Sequence, residues 1–377
     1  MSPAADAAPE TARTVGAYVD FDLAARVAAR LAPPGPAVGR AEAAEVVGEL
    51  REAAAAAAAP VAATARLQQD PSTGAAAPAL VVDRASWARA NVEAFRALLA
   101  PVPVPLPEPG RRGARAGGRA DRATTALGRR TTGGETGALL AFLSSRVLGQ
   151  FDVFSGVDAG EPGRLLLVAP NVVQVERDLG VDPGDFRRWV CLHEEAHRLQ
   201  FGATPWLRRW LAGEARALSE DLLSNPRDLG ERLAGALRGL PELLRGGEGA
   251  GAGLADLLQS PAQRERVRRV VAVMSLLEGH ADVVMDDVGP QVVPTVATIR
   301  ARFTERRRGR GALDVLTRRL LGLDAKTRQY ADGARFVRGV LGDVGWEGFN
   351  AVWREPAALP TPEEVADPGA WVRRVHG

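Results

Sequence analysis

The chain has 377 residues, of which 46% are hydrophobic and 25% are charged, as in a folded protein with a sizeable core. Its 48 lysines and arginines nearly balance its 46 aspartates and glutamates, so the charge does not predict a surface for nucleic acid. No uninterrupted apolar run has the length of a transmembrane helix, and the single cysteine, Cys191, excludes an intramolecular disulfide. We therefore expect a cytoplasmic protein that binds neither nucleic acid nor a membrane.

The N-terminal third of the sequence is dominated by helical periodicity. Residues 1–16 lack the basic start and apolar core of a secretory leader, and we expect a disordered tail there. Residues 17–105 are predicted to form an N-terminal helical region, with Asp83 as the cap of its last helix. The stretches with helical spacing of apolar residues are Phe21–Leu31, Ala41–Leu67 and Ala85–Leu99.

The composition changes between residues 106 and 135, where glycines alternate with arginines. Such a stretch predicts a flexible linker or a long surface loop. The alternative is a segment that binds RNA through its arginines, but no aromatic residues are interleaved with them to stack on bases. We therefore interpret residues 106–135 as a linker or loop.

The remaining part of the chain contains one strand pattern among helical ones. Arg164–Asn171 is a short apolar run that ends near Pro170, which suits the end of a strand or the edge of a sheet. The sequence Asp182-Pro-Gly-Asp185 supplies a turn and an N-cap for a helix over Phe186–Phe201. Further predicted helices are Gly137–Val147, Pro205–Leu223, Asp228–Leu244, Pro261–Val288, Pro294–Arg307 and Ala312–Leu321. The pattern predicts a mainly α protein of the α+β class with a small sheet.

Two histidines lie four residues apart in the sequence His193-Glu-Glu-Ala-His197, within one of these helices. The spacing places both imidazoles on one helical face, about 40° apart around the axis, so both can bind the same metal ion. Glu194 is then placed to approach a water molecule on that ion. Zinc lowers the pKa of such a water toward about 7, and a neighbouring carboxylate can take its proton. The pattern is that of the zinc metalloprotease helix.

A solvated helix with a polar face is the alternative interpretation of this motif. The residues on both sides of it are largely apolar, which favours a buried helix. Three of the four histidines of the chain, moreover, lie either in this motif or in the apolar stretch Val271–Met285.

That second stretch offers a third ligand. Glu278 and Asp282 lie four residues apart and share one face of the predicted helix, and buried carboxylates need partners. A zinc ion is a partner for Glu278, and a zinc-bound histidine is one for Asp282, which would fix the tautomer of that histidine. His280 lies on roughly the opposite face and is the alternative third ligand. Otherwise it is a core histidine, a residue behind the ligands, or a donor toward a reacting carbonyl.

The pairing of His-Glu-x-x-His with a later Glu-x-x-x-Asp resembles the gluzincin branch of zinc peptidases, to which thermolysin belongs. The resemblance implies that His193, His197 and Glu278 bind zinc, that Glu194 is the general base, and that Asp282 orients a ligating histidine. The sequence departs from the compact pattern in one respect, because 80 residues separate His197 from Glu278. This spacing leaves room for inserted helices.

The whole chain is similar to a family of zinc-dependent metalloproteases of high-GC bacteria, some of which are labelled as associated with biosynthesis of a deazaflavin coenzyme. This similarity implies a zincin-like metal-binding domain over residues 136–377. The segments that carry it are Val82–Trp87, Val147–Gln150, Leu167–Asn171, Leu192–Phe201, Leu277–Asp286, Lys326–Tyr330 and Gly333–Phe336.

The resemblance to zincins implies two further parts of a peptidase site. An edge strand of these enzymes pairs with the extended backbone of the substrate. The candidates for it are Leu165, Leu166, Leu167 and Val168, which alternatively form a plain core strand. Tyr330 resembles a donor to the oxyanion of the transition state, and its alternative is a packed core residue.

The sequence thus predicts a zinc-dependent hydrolase, a peptidase that acts on a peptide or protein. The first alternative is a catalytically inactive zincin fold that serves as a binding scaffold, although a scaffold has no use for Glu194. The second is a di-iron helical protein, which needs a further Glu-x-x-His on a partner helix. Neither His280 nor His376 follows a glutamate by three residues.

Overall fold

Helices account for most of the residues that the computed structural model describes, which are 13–71, 77–104, 119–223, 261–308 and 323–377. The helices are α1 (Phe21–Leu31), α2 (Arg40–Ala65), α3 (Arg84–Leu99), α4 (Arg119–Leu143), α5 (Ala169–Leu179), α6 (Pro183–Ala203), α7 (Pro205–Leu223), α8 (Pro261–Val288), α9 (Val296–Arg308), α10 (Leu323–Phe349), α11 (Pro362–Ala366) and α12 (Pro368–His376). The strands are β1 (Arg13–Thr14), β2 (Leu80–Val82), β3 (Pro103–Val104), β4 (Gly149–Asp152) and β5 (Arg164–Val168). The prediction of a mainly α protein with a small sheet is confirmed.

Local signals in the sequence set several helix ends. The side chain of Asp83 accepts a hydrogen bond from the backbone N–H of Ser86 at 2.7 Å, and Asp182 caps α6 in the same way. Helix α5 ends at Gly180, whose φ of 59° is a conformation that glycine adopts at little cost. Predicted and observed bounds coincide for α1, α7 and α8. The predicted helices Asp228–Leu244 and Ala312–Leu321 lie outside the described residues.

Strand β5 is the middle strand of a three-stranded sheet. It runs parallel to β2 and antiparallel to β4, so both of its edges are paired. Leu165, Leu166, Leu167 and Val168 are all buried, and the prediction that they form an edge strand for the substrate is therefore wrong. A run of consecutive apolar residues is typical of a strand with both faces covered. Pro170 does not end this strand, because it lies in the first turn of α5.

The sheet divides two hydrophobic cores because successive side chains of a strand point to opposite faces. Leu166 and Val168 pack with α1, α3 and α4, whereas Leu167 packs with α2, α5 and α6. A third core joins α7, α8, α10 and α12. The N-terminal residues are thus part of the same architecture as the rest of the chain, since they supply β2 to the sheet and α2 to the back of α6.

Part of the Gly/Arg-rich stretch is helical where the sequence predicts a linker. Residues 119–135 form the first half of α4, and residues 106–118 lie outside the described residues. Two glycines of α4 serve close packing: a Cβ on Gly133 would lie 2.4 Å from the carbonyl oxygen of Asp20, and one on Gly137 would lie 2.5 Å from that of Ala24. A composition typical of flexible segments can thus also fit a tight helix contact.

The N-terminal boundary differs from the prediction as well. Residues 13–16 belong to the predicted disordered tail, but β1 pairs antiparallel with β3. Among the helices that the structure describes, none combines the length and the apolar character that crossing a bilayer requires.

Polar contacts fix the start of α6, the helix that carries the histidine motif. Arg187 donates two hydrogen bonds to the buried carboxylate of Glu176 on α5, at 3.1 and 2.6 Å. Asp185 accepts hydrogen bonds from the backbone N–H and the hydroxyl of Thr295, which precedes α9, at 2.9 and 2.7 Å. Helix α6 is thereby held by α5 and α9 at its N-terminal end and by α2 along its length.

The two neighbouring glycines of α4 allow a matched test of the helix contact. We expect Gly133→Ala to lower the free energy of unfolding by about 1–3 kcal/mol, because the added methyl group meets backbone of α1. Gly134→Ala should raise it by up to about 1 kcal/mol, since nothing lies within 4 Å of that position and alanine favours a helix. Chemical denaturation of both variants measures the difference, and equal effects would show that α4 does not pack on α1 in this way.

Candidate metal centre

Helices α6 and α8 bring three potential metal ligands together. The Nε2 atoms of His193 and His197 are 3.1 Å apart, and their rings are nearly perpendicular. An Oε2 atom of Glu278 lies 3.5 Å from the Nε2 of His193 and 3.8 Å from that of His197. One ligand atom from each of the three residues lies within 4.8 Å of the others. The residues that the sequence predicts as ligands thus converge on one point.

The electrostatics of this group fit a cation. Burial alone would lower the pKa of His193, but the adjacent carboxylate of Glu278 raises it to about 9, so a positive charge is favoured there. The pKa of His197 is lowered by burial and by the proximity of His193, so a second positive charge on this ring is disfavoured. Two imidazole nitrogens and one carboxylate oxygen, with room for a further ligand, are the donor set of catalytic zinc sites. The residues present therefore fit a zinc ion.

Helix α10 holds the glutamate in place from the other side of α8. A Cβ on Gly279, the residue after Glu278, would lie 2.1 Å from the carbonyl carbon of Gly333 on α10. A Cβ on Gly333 would lie 2.0 Å from the carbonyl oxygen of Ser275. The backbones of α8 and α10 therefore touch at these glycines, directly behind the ligand.

Glu194 lies beside the three ligands without joining them. Its side chain is buried, and burial raises its pKa to about 7, partly offset by His193. The carboxylate lies against β4: a Cβ on Gly149 would come within 2.5 Å of the Glu194 Cγ and 2.8 Å of its Oε1. Sequence reasoning misses this role of Gly149, because a lone glycine gives no sign of what approaches it across the fold.

Gln200 contacts His197, one of the three potential ligands, and is not among the site residues predicted from the sequence. Its Oε1 atom lies 3.0 Å from the Nδ1 of His197. The amide nitrogen lies 2.8 Å from the carbonyl oxygen of Leu277 and 2.9 Å from the Nδ1 of His280. One signal in the sequence indicates this contact: Gln200 follows His197 by three residues and therefore lies on the same face of the helix.

His280 lies behind the ligand cluster and is not among its members. The ring is fully buried, stacks on Phe349 and meets the edges of Trp346 and Trp353, with centroid distances of 5.3–5.6 Å. Burial, reinforced by the proximity of His197, lowers the pKa of His280 to about 3. It is therefore a neutral side chain of the core and does not replace Glu278.

Asp282 has a different neighbour from the one that the sequence predicts. Its Oδ1 lies 3.9 Å from Arg300, which also donates a hydrogen bond to the backbone carbonyl of Asp282 at 3.0 Å. Both histidine Nδ1 atoms are engaged elsewhere, that of His197 by Gln200 and that of His193 by the sulfur of Met285 at 3.2 Å. Met285 follows Glu278 by two helical turns and so shares its face.

Tyr330 lies within α10, but its side chain is outside the described residues. Its role as an oxyanion donor stays a prediction from the sequence.

The site opens into a cleft of about 630 Å³. His193, Glu194, His197 and Glu278 line it, together with residues 148–151 at β4. Much of the remaining lining is apolar and includes Phe151, Phe154, Phe201, Leu211, Met274 and Leu277. The site can therefore admit an extended chain that carries an apolar side chain.

A buried helix with His-Glu-x-x-His, crossed by a second helix that supplies a glutamate, defines a metallohydrolase site of the zincin class. The model of the zincin-like metallopeptidase family matches residues 19–372, and the chain belongs to this family. Membership implies a divalent metal ion, typically zinc, and a peptide or protein substrate.

Among solved structures, the chain is similar to a protein of Chloroflexus aurantiacus that has been assigned provisionally as a hydrolase with a novel fold. The two share 28% sequence identity and a TM-score of 0.60, over 95% of this chain and 99% of the other. A comparison with curated proteins finds no match.

Metal content tests the ligand set directly. We expect the purified protein to hold about one zinc per chain, and Glu278→Ala or His197→Ala to remove most of it, because each loses one of three protein ligands. His376→Ala is the control, since this histidine lies in α12, away from the ligand group. Elemental analysis gives the result, and two iron atoms per chain would contradict the assignment.

Proposed function

We propose that this protein is a zinc-dependent peptidase of the gluzincin type, in which His193, His197 and Glu278 hold the metal ion and Glu194 is the general base. The observation that carries the proposal is the position of Glu194. Its carboxylate is buried on the same helix as His193 and His197 and lies against Gly149 of β4, at the wall of the cleft that the three potential ligands line. A site that only binds metal does not require a carboxylate there.

A bound zinc ion supplies Lewis acidity, which polarises a carbonyl group and makes a water molecule more acidic. Glu194 accepts a proton from the water as the water oxygen attacks the carbonyl carbon of the peptide bond. The same carboxyl group then gives the proton to the leaving nitrogen when the C–N bond breaks. The burial of Glu194 suits both steps, because it favours a carboxyl group that can take up a proton and release it.

Strand β4 is the part of the sheet best placed to bind the substrate. In the part of the chain that the structure describes, it is the last strand on its side of the sheet, and its residues line the cleft. An edge strand offers free backbone groups to an extended peptide. Because Gly149 touches Glu194, a peptide paired with β4 passes its carbonyl groups close to the base. The apolar lining of the cleft then favours a substrate with an apolar side chain near the cleaved bond.

Replacing the carboxylate of Glu194 by an amide distinguishes a peptidase from a metal-binding scaffold. We expect Glu194→Gln to keep its zinc and to lose at least about a hundredfold in the rate of peptide hydrolysis, because the amide cannot accept the proton. The rate is measured on peptides selected from a library by mass spectrometry of the products.

The neighbouring Glu195 provides the matched control. It is also buried, but it forms an ion pair with Arg198 at 2.5 Å and is not part of the cleft. Glu195→Gln should therefore hydrolyse the same peptides at nearly the wild-type rate. If wild type and Glu194→Gln have equal rates on every peptide cleaved, Glu194 is not the base and the proposal fails.

Gly149 offers a second test that leaves every titratable group intact. Gly149→Ala places a methyl group where the Glu194 side chain lies, so we expect a lower kcat with unchanged zinc content. Gly48→Ala is the control, because nothing lies within 4 Å of Gly48 in α2. Steady-state kinetics and elemental analysis of both variants give the comparison, and full activity in Gly149→Ala would contradict the placement of the base.

A further inference from the structure

Gln200 is a buried amide that joins the two helices of the metal centre. It lies on α6, one turn after His197, and its side chain has no exposed surface. The oxygen faces the Nδ1 of His197, and the nitrogen faces the carbonyl oxygen of Leu277 and the Nδ1 of His280 on α8. Every polar atom of this amide is therefore engaged.

The carbonyl of Leu277 fixes which way round the amide lies. A backbone carbonyl only accepts hydrogen bonds, so the Gln200 atom 2.8 Å from it must be the NH₂ group. The amide oxygen, which only accepts as well, then faces the Nδ1 of His197. That nitrogen must carry a hydrogen, and the lone pair of His197 is left on Nε2, the atom that faces His193 and Glu278.

His280 takes the second hydrogen of the amide. Its Nδ1 lies 2.9 Å from the amide nitrogen and must accept, so the ring carries its own hydrogen on Nε2. That Nε2 atom is buried among aromatic rings and has no hydrogen-bond partner within the described residues. A buried polar atom without a hydrogen-bond partner lowers the stability of the folded protein, and a phenylalanine at this position would have no such atom. The acceptor that His280 offers to Gln200 explains why a histidine occupies this place.

The other ligand has no comparable support. The Nδ1 of His193 lies 3.2 Å from the sulfur of Met285, and a thioether is only a weak acceptor. Of the two histidines, the chain of hydrogen bonds therefore orients only His197.

We propose that Gln200 is the positioning residue that fixes the tautomer and the ring orientation of His197, and that His280 in turn holds Gln200. The proposal rests on the proposed function in taking His193, His197 and Glu278 as zinc ligands. It goes beyond that function because it states which ring nitrogen of His197 and of His280 carries the hydrogen before any metal binds. Removing a hydrogen-bond partner of a metal-binding histidine commonly weakens metal binding by about 10–100-fold.

The tautomers can be observed in the metal-free, full-length protein by NMR of ¹⁵N-labelled histidine, since the chain has only four histidines. In the wild type we expect His197 with its hydrogen on Nδ1 and His280 with its hydrogen on Nε2. Gln200→Leu should remove the preference at His197. Gln200→Glu, whose carboxyl group still offers an acceptor oxygen, should keep the hydrogen on Nδ1 of His197.

Zinc affinity, measured by competition with a chelator, provides the second readout. Gln200→Leu should bind zinc about 10–100-fold more weakly, while Gln200→Glu should lose less affinity because it keeps the acceptor toward His197. His280→Phe should have a smaller effect, since Leu277 still orients the amide. Gln263→Leu is the control: Gln263 is also a buried glutamine, about four turns before Glu278 on α8.

The outcomes separate this proposal from the proposed function. Unchanged zinc affinity and unchanged His197 tautomer in Gln200→Leu would overturn the role of Gln200. If Gln200→Leu does not fold, a hydrogen on Nε2 of His197 in the wild type or in Gln200→Glu overturns it instead. A wild type that binds no zinc would overturn the proposed function, and the tautomers of the metal-free protein would still decide the role of Gln200.

Discussion

The contact between α6 and α8 is the constraint on which the rest of the structure depends. Two histidines of one helix and a glutamate of the other have ligand atoms within 4.8 Å of one another, so a small rotation or shift of either helix would separate them. Each helix is accordingly supported on its far side. Helix α2 packs along the back of α6, and α10 meets the back of α8 at Gly279 and Gly333, where no side chain intervenes. The helices packed behind α6 and α8 thus fix the distance between these two helices.

The same arrangement explains why the functional side chains are buried although they are polar. Glu194 lies against a glycine of β4, and Gln200 and His280 fill the space between α6, α8 and the aromatic residues after the bend of α10 at Gly345. A polar group in such a place must be satisfied by a partner with the right geometry, which leaves it few orientations. Rigidity at the ligands is therefore a consequence of their burial and of their hydrogen bonds together.

The features that could be predicted from the sequence were those encoded locally. Helical periodicity predicts α1, α6, α7 and α8, and a capping aspartate predicts the start of α6. The spacing of His193 and His197 predicts that they share one helical face, and the carboxylates of an apolar helix indicate Glu278 as the third ligand. What could not be predicted depends on distant parts of the chain. The apolar run of β5 is the same whether the strand lies in the middle or at the edge of a sheet. The glycines of α4 have a composition typical of linkers, and the neighbour of Asp282 is set by the position of α9, not by its own helix.

The parallel pairing of β2 with β5 has a consequence for N-terminal truncation of the chain. Residues 80–82 cover one edge of a strand whose residues 165–168 are all buried. A fragment that begins after β2 would contain all three potential ligands found among the described residues, yet it would expose an apolar edge with unpaired backbone groups. Such edges pair readily with one another, and this makes them sites of aggregation. The short strand β2 thus covers an apolar strand edge, a task quite separate from the chemistry of the cleft.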